Sequence, residues 1–455
     1  MTKEELEKES KERIIDSYEV LSCLEMTEKG KVKNSLANCI TVFQYDSLLS
    51  KAVSYNILDQ REYVTKPLGW DRRGYSLAVN DNDFDHICYY FEVAYGITND
   101  KNIARAMHIV ANENSYHPVR DYLSRLVWDG KERVRYALHH FLGADTSDYT
   151  YEVLKLFMLG AINRVYSPGI KFDYILCLVG EQGVGKSSFL RLLAVKDEWF
   201  SDDLKDLESD KVYQKLQGHW IHEMSEMLAA NSAKSNEAIK SFLSRQKETF
   251  RTPYERYPKD RPRQCVFAGT TNKVRFLPND RSGNRRFLPV LCHRKDAEVF
   301  ILEDENASRN YIDQMWAEMM TVYNTENPRL ALPRKYQDVL EEKQNCFLQE
   351  DVDAGVILSY MLDTDEKQVC SIMLYREALG NDFKKPQRWE TNEICDIMNQ
   401  LIASGKLPDW ERFDSPRRFP LYGTQKGWKK IEEKQEQLSM DGFTVIEDDP
   451  DCPFD

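Results

Sequence analysis

Short apolar runs alternate with stretches of helical periodicity between residues 170 and 294. The runs are Tyr174–Val179, Trp199–Phe200, Trp220–Met224 and Cys265–Gly269. A chain that alternates strands with helices builds a parallel sheet with helices on both of its faces. We therefore predict an α/β fold for this part of the chain.

A helix is predicted directly before this sheet. Its apolar residues recur at spacings of three and four, and they are Leu154, Phe157, Met158, Ala161, Ile162 and Val165. This period is typical of a helix that buries one face. The helix is predicted to end at Ser167-Pro168-Gly169, because proline and glycine terminate helices.

The pattern divides the chain into four segments. Residues 1–145 are predicted to form a mostly helical domain for oligomerisation or DNA binding, and residues 146–340 the α/β domain. Residues 341–430 are expected to form a small winged-helix-like domain. Residues 431–455 carry nine acids and one lysine, so an acidic, disordered tail is predicted there.

The third segment has its own predicted elements. A helix covers Thr391–Ile402, and Trp410–Phe413 and Arg418–Gly423 are predicted to pair as a hairpin. Such a module could bind duplex DNA, or it could serve only for packing. Its candidate DNA contacts are Arg388, Arg417, Arg418 and Lys426.

A glycine-rich loop follows the first predicted strand. It reads Gly180-Glu181-Gln182-Gly183-Val184-Gly185-Lys186-Ser187, and Ser188 continues into a predicted helix. Backbone N–H groups of such a loop surround phosphates, the lysine reaches the β and γ oxygens, and the serine hydroxyl is placed for Mg²⁺. A chance glycine turn seldom has both a strand before it and a helix after it. Residues 180–188 are therefore predicted to bind ATP with Mg²⁺.

Two acidic residues follow the strand-like run Gly218–His222. Hydrolysis of a triphosphate needs a metal shell and a group that positions and deprotonates water. We assign Glu223 to the metal, together with Ser187, and Glu226 to the base. Their separation by three positions departs from the usual adjacent pair. The alternative is the acidic first turn of a solvated helix.

Polar residues also follow the later strands. Asn272 comes after the apolar run ending at Gly269, where it could hold the water or the terminal phosphate, or merely cap a turn. Arg285 and Arg286 lie on the predicted loop Gly283–Pro289. Either arginine could stabilise charge in the transition state from a neighbouring subunit. Either could instead form a surface ion pair.

A basic segment lies between these motifs. Residues 240–263 carry eight Lys or Arg against three Asp or Glu, interleaved with aromatic residues. Cations and stacking aromatics suit single-stranded nucleic acid, and Pro258-Lys259-Asp260 could form a hairpin tip; a solvated basic loop is the alternative. The candidate DNA contacts are Lys240, Arg251, Tyr254, Arg256, Lys259 and Arg261.

The charge balance and the cysteines limit the functional classes. A formal net charge of −13 argues against a protein that coats nucleic acid over its whole surface. The ten cysteines contain no C-x-x-C pair, which suggests reduced thiols. Without an apolar stretch of about 20 residues or a secretion signal, we expect a cytoplasmic protein with no membrane association.

The order of the motifs resembles the virulence-associated E family of phage and mobile-element replication proteins, whose core is similar to a superfamily 3 helicase. The resemblance covers about Tyr116 to Val290. It rests on His117-Pro118-Val119, Trp128-Asp129-Gly130, Pro168–Asp173, the glycine loop, Glu223–Glu226, Lys240–Tyr254, Gly269–Asn272 and Gly283–Val290.

The resemblance implies an AAA+-like P-loop core that assembles as a ring, expected to be a hexamer, and unwinds DNA with ATP. It implies Asn272 as the sensor, Arg285 or Arg286 as the arginine finger, and the basic segment as the DNA-gripping hairpin. The tail resembles the acidic tip of single-strand-binding proteins and could recruit replication partners, although Asp455 follows the Pro-Phe pair; a solubilising tail is the alternative. The competing prediction is an ATP-driven origin-binding or regulatory switch that does not unwind DNA.

Overall fold

The computed structural model of the chain describes residues 17–72, 77–204, 207, 212–224, 233–250, 258–277, 284–326, 328–348, 352–381 and 384–431. The chain divides into two units, Met1–Gln349 and Glu350–Asp455. Of the helices in the described part of the chain, none combines the length and the apolar character needed to cross a bilayer.

A five-stranded parallel sheet forms the centre of the first unit. Its strands are β3 (Ile175–Gly180), β4 (Phe200–Ser201), β5 (Ile221–Glu223), β8 (Val266–Thr271) and β9 (Phe287–Cys292). They lie in the order β4-β5-β8-β3-β9, with β3 paired to both β8 and β9. Every residue of β3, β5 and β8 is buried. The predicted α/β class is therefore confirmed.

Strand β9 lies where the sequence pattern predicts only a loop. The apolar run Phe287–Cys292 contains Pro289, and proline argues against a central strand because it cannot donate a ladder hydrogen bond. Among the described residues, β9 pairs only with β3 and so lies at the edge of the sheet. An edge position tolerates the missing donor, so Pro289 fits the strand.

Helices surround the sheet and build the N-terminal part of the first unit. They are α1 (Ser17–Ser22), α2 (Leu36–Tyr45), α3 (Asp81–Tyr95), α4 (Asp100–Glu113), α5 (Pro118–Arg125), α6 (Val134–Leu142), α7 (Asp148–Tyr166), α8 (Lys186–Leu193), α9 (Val212–Lys215), α10 (Ala233–Ser244), α11 (Glu305–Glu326) and α12 (Gln337–Cys346). Helix α7 confirms the predicted helix before the sheet, and all six apolar residues that define its period are fully buried.

Two antiparallel hairpins join the mostly helical N-terminal part to the sheet. The first pairs β1 (Val53–Asn56) with β2 (Arg61–Val64). The second pairs β6 (Lys247–Phe250) with β7 (Lys259–Pro262). The predicted tip at Pro258-Lys259-Asp260 is wrong, because Lys259 and Asp260 lie within β7 and pair with β6.

The turn between β1 and β2 contacts the start of two sheet strands. The Gly218 N–H donates to the Leu58 carbonyl at 3.2 Å, shortly before β5. Gln264 Nε2 donates to the Ile57 carbonyl at 3.1 Å, shortly before β8. The β1–β2 turn therefore contacts the amino-terminal ends of β5 and β8. The polar residues of the predicted site lie at the opposite, carboxyl-terminal ends of these strands.

The second unit contains its own core and three-stranded sheet. Its elements are α13 (Val352–Asp363), β10 (Gln368–Cys370), α14 (Ser371–Met373), α15 (Arg388–Ala403), β11 (Trp410–Arg412), β12 (Arg417–Phe419), β13 (Gly423–Gln425) and β14 (Gly427–Lys430). The antiparallel sheet has the order β10-β14-β11, and β12 pairs with β13.

The predicted pairing of Trp410–Phe413 with Arg418–Gly423 is wrong. Strand β11 pairs instead with β14, and β12 folds back onto β13. Gly423 has a φ of +78°, a left-handed conformation that glycine adopts without strain, and this allows the tight reversal after Pro420. The predicted helix Thr391–Ile402 lies within α15, which begins three residues earlier.

Candidate functional site

The glycine-rich loop, hereafter the phosphate loop (Gly180–Ser187), connects the end of β3 to the start of α8. Gly183 and Gly185 have φ values of +84° and +101°, which residues with a side chain rarely adopt. Gly185 is the N-cap of α8. The loop therefore lies at the positive end of a helix, as an anion-binding loop requires.

The Lys186 ammonium is held against the loop. Its Nζ donates to the carbonyls of Gly180 and Glu181, both at 2.7 Å, and to Asn272 Oδ1 at 3.1 Å. Lys186 is only 7% exposed, and its burial lowers the pKa of the ammonium from the ordinary value. The lysine and the predicted sensor residue are thus in direct contact.

A second cluster lies beside the lysine, across the ends of three strands. The Ser187 hydroxyl donates to Glu223 Oε1 at 2.7 Å, and the Thr270 hydroxyl donates to the same oxygen. Glu223 is buried at the end of β5, and Thr270 lies near the end of β8. Thr270 is a site residue that motif analysis missed, although it stands two positions before Asn272.

A cavity of about 550 Å³ opens above these groups. It is lined by Gln182, Gly183, Gly185, Lys186, Ser187, Ser188, Thr270, Thr271, Asn272 and Lys273. The lining combines glycine backbone, cations and short polar side chains. It therefore suits a chain of phosphates better than an apolar ligand.

The donor set is compatible with Mg²⁺ and a triphosphate. Mg²⁺ prefers oxygen ligands and usually takes only one or two protein groups, with water and phosphate completing the shell. The Ser187 hydroxyl and the Glu223 carboxylate supply such oxygens side by side. Glu226, the predicted base, lies outside the described residues.

One cation near the loop was not identified from the sequence. Arg294 Nη1 donates to the Gly183 carbonyl at 2.8 Å, and the Arg294 guanidinium lies 4.8 Å from the centre of the Phe300 ring. Arg294 comes two residues after β9. A strand predicted at Phe287–Cys292 would have placed Arg294 at the carboxyl ends of the sheet strands, where the phosphate loop also lies.

The two predicted finger arginines lie at the amino-terminal ends of the sheet strands, opposite to the phosphate loop. Arg285 and Arg286 directly precede β9, whose first residue pairs with Ile175 at the start of β3. The length of β3 therefore separates them from the phosphate loop, about 16 Å at the usual strand rise. Arg285 is exposed, whereas Arg286 Nε lies 3.3 Å from Asp173 Oδ2. Within one chain they do not reach the loop.

The basic segment is only partly exposed. Lys259 is exposed, whereas Lys240 and Arg261 are each 7% exposed. Arg261 donates to Gln60 Oε1, and its guanidinium lies 4.8 Å from the Phe250 ring. The other candidate DNA contacts, Arg251, Tyr254 and Arg256, lie outside the described residues.

Buried polar contacts hold the base of the β6–β7 hairpin. Arg263 donates through Nε to Glu248 Oε1 at 2.7 Å and through Nη1 to the Phe242 carbonyl at 2.6 Å. His117 Nε2 lies 2.8 Å from Gln264 Oε1, and burial lowers the pKa of His117 to about 4. Part of the basic charge in this segment therefore serves the fold.

Comparisons with known proteins identify the family. A search of curated proteins finds no match. Two solved apo structures of the NrS-1 C-terminal region are similar at 14% identity: one match covers 84% of this chain and 96% of that chain with a TM-score of 0.45, the other 83% and 95% with 0.44. The sequence model of the virulence-associated protein E-like domain matches residues 123–349. Residues 123–349 of this chain are therefore a virulence-associated protein E-like domain.

Proposed function

We propose that this protein is an ATP-dependent DNA helicase or translocase that acts in the replication of a phage or mobile element. The observation that carries the proposal is the contact of Lys186 with Asn272 beside the Ser187–Glu223 pair, at the mouth of the phosphate loop cavity. A lysine, a metal-compatible oxygen pair and a polar sensor in one place are the parts that triphosphate hydrolysis requires.

In the proposed reaction, water attacks the γ-phosphorus of ATP while the bond to the β–γ bridging oxygen breaks, giving ADP and phosphate. Lys186 neutralises the terminal phosphate oxygens, and the Asn272 amide holds the terminal phosphate or the attacking water. Ser187 and Glu223 would hold Mg²⁺, which supplies charge neutralisation and orientation. Glu226 is proposed to receive the proton from the water.

The position of Arg285 and Arg286 favours action between subunits. Because both lie a strand length away from their own phosphate loop, they could stabilise the transition state only at the loop of a neighbouring chain. This supports a ring in which each site is completed by the next subunit, and a hexamer is the proposed form. Turnover would then depend on assembly.

The β6–β7 hairpin is the proposed contact with single-stranded DNA. Strand β7 continues through Arg263–Cys265 into β8, and the proposed sensor Asn272 directly follows β8. A displacement of the hairpin can thus be transmitted along β8 to the site that contacts the terminal phosphate. Exposed Lys259 is the described residue best placed to meet the DNA backbone.

The second unit supports a further proposed DNA contact. We propose that it is a winged-helix-like module, and its order of α13, β10, α14, α15, β11, hairpin and β14, with β14 between β10 and β11, supports this. In such modules the third helix and the wing contact duplex DNA. Arg388 on α15 and Arg417, Arg418 and Lys426 near the β12–β13 hairpin are all exposed.

Phosphate release with and without single-stranded DNA tests the proposal, together with strand displacement on tailed duplexes of both polarities. We expect DNA to stimulate hydrolysis, and ATP to be required for displacement. Lys186→Ala should abolish both activities while the far-ultraviolet circular dichroism spectrum stays unchanged. A Lys186→Ala variant with normal hydrolysis would refute the assigned site.

A second candidate function is an ATP-driven switch that assembles on an origin or regulatory partner without unwinding. The burial of Lys240 and Arg261 favours it, because these cations do not contribute to a DNA-gripping surface. Hydrolysis that is indifferent to single-stranded DNA, combined with ATP-dependent assembly on duplex DNA, would support the switch over the helicase.

A further inference from the structure

An aromatic ring and a guanidinium lie against the outer side of the phosphate loop. A Cβ built on Gly185 would lie 3.8 Å from Phe300 Cε2, so the ring is close to the loop backbone. Arg294 contacts both the loop and the ring. Its Nη1 donates to the Gly183 carbonyl, and its guanidinium lies over the Phe300 ring. Phe300 is 37% exposed, so part of its ring is open to solvent beside the loop.

The Phe300 ring is held in a defined position. The adjacent Ile301 is fully buried, and its carbonyl accepts a hydrogen bond of 2.8 Å from the buried Ser308 hydroxyl on α11. The Glu303 N–H closes a turn onto the Phe300 carbonyl at 2.8 Å. The ring is therefore presented to solvent by a segment that is anchored directly after Phe300.

The strand order determines on which side of the phosphate loop Phe300 and Arg294 lie. Going along the sheet, Glu223 ends β5, Thr270 lies near the end of β8 with Asn272 directly after it, the phosphate loop follows β3, and Arg294 follows β9. The groups suited to the metal and the terminal phosphate thus lie on the β8 side of the loop. A nucleotide whose terminal phosphate lies on the β8 side would direct its base toward the β9 side, where Phe300 and Arg294 lie.

We infer that Phe300 and Arg294 form the nucleobase subsite of the site proposed above. The base would stack on the Phe300 ring, and the Arg294 guanidinium, bound to the Gly183 carbonyl, would hold that ring beside the loop. Stacking tolerates any base but is stronger for larger ring systems, so purine nucleotides would bind more tightly than pyrimidine nucleotides.

This inference rests on the proposed function, and calorimetric binding to the full chain in the presence of Mg²⁺ separates the two. The probes are tripolyphosphate, which has no base, and the non-hydrolysable β,γ-imido forms of ATP, GTP and UTP. For the wild type, we expect the two purine analogues to bind more tightly than the UTP analogue, and the UTP analogue to bind at least as tightly as tripolyphosphate.

Phe300→Ala should weaken binding of the ATP analogue about tenfold and leave tripolyphosphate binding unchanged, since stacking against an aromatic side chain contributes on this scale. Phe300→Trp should retain the affinity and report the bound base by quenching of its fluorescence. Leu302→Ala is the matched control, because it removes a similarly exposed apolar side chain two positions along the same segment; it should bind as the wild type does.

Wild-type affinity for the ATP analogue in Phe300→Ala would overturn the subsite and leave the proposed function intact. Equal weakening of tripolyphosphate, or an equal effect of Leu302→Ala, would also overturn it, because the loop rather than the base would be affected. A wild-type chain that binds neither tripolyphosphate nor any nucleotide analogue would refute the proposed function itself.

Discussion

The Ser187 hydroxyl donates a 2.7 Å hydrogen bond to Glu223 Oε1, although 36 positions separate the two residues along the chain. The contact forms because β3 and β5 run parallel with β8 between them, so their carboxyl ends meet at one edge of the sheet. The buried carboxylate is oriented by this hydroxyl and by Thr270. As the proposed metal ligand, Glu223 would need little reorganisation on binding.

Glu223→Gln should reduce hydrolysis about 100-fold, since it keeps the shape and the acceptor oxygen but removes the charge offered to the metal. Nucleotide binding without metal should stay near the wild-type value. Phosphate release over a Mg²⁺ titration measures the effect, and the variant should need more Mg²⁺ for half-maximal activity. Unchanged turnover and Mg²⁺ dependence would exclude Glu223 from the metal shell.

Arg285→Ala or Arg286→Ala should lower turnover by roughly 1000-fold for the arginine that acts as the finger, with nucleotide binding retained. The arginine lies too far from its own loop to act there. Mixing the inactive variant with Lys186→Ala subunits provides the measurement, because mixed interfaces can pair an intact arginine with an intact loop. Recovered hydrolysis would support action in trans, and absence of recovery at every mixing ratio would contradict it.

Lys259→Ala should weaken binding to single-stranded DNA and reduce the slope of log affinity against log salt by about 0.7 for one lost phosphate contact. Fluorescence anisotropy with a labelled oligonucleotide at several salt concentrations measures both. Lys29→Ala removes an exposed lysine from the N-terminal region and serves as the control. An identical salt slope in the Lys259 variant and the wild type would argue against a backbone contact there.

The stability of the first unit should fall between pH 7 and pH 5, in part through His117. Its Nδ1 accepts the 3.3 Å cap bond from the Arg120 N–H and must be unprotonated, and burial lowers the pKa of the folded state to about 4. The unfolded state binds the proton near pH 6.5, so stability is full above that pH and is lost as the pH falls toward 4.

The His117 contribution amounts to about 2 kcal/mol at pH 5. Urea unfolding of His117→Asn should therefore lose less free energy between pH 7 and pH 5 than the wild type does. Asparagine can still cap α5, which makes it the appropriate replacement. Parallel losses in the two proteins would show that His117 does not titrate in this range.

The features that depend on neighbouring residues follow from the sequence alone. Strand β3, the phosphate loop and α8 could be predicted because an apolar run, glycines with left-handed backbone and a helix N-terminus are local signals. Helix α7 could be predicted from its period in the same way. Strand β9 could not be predicted in this way, because Pro289 argues against a central strand. Only the sheet order shows that β9 lies at the edge, where proline is tolerated.

The features that depend on distant residues required the tertiary structure. Ser187 and Thr270 share Glu223 as their acceptor only through the order of the strands, and the separation of Arg286 from the phosphate loop follows from the direction of β9. A basic composition did not distinguish exposed Lys259 from buried Arg261, because burial is decided by contacts with Gln60 and Phe250 from elsewhere in the chain. Local conformational preference acts over a few residues, whereas packing brings together residues that no sequence spacing relates.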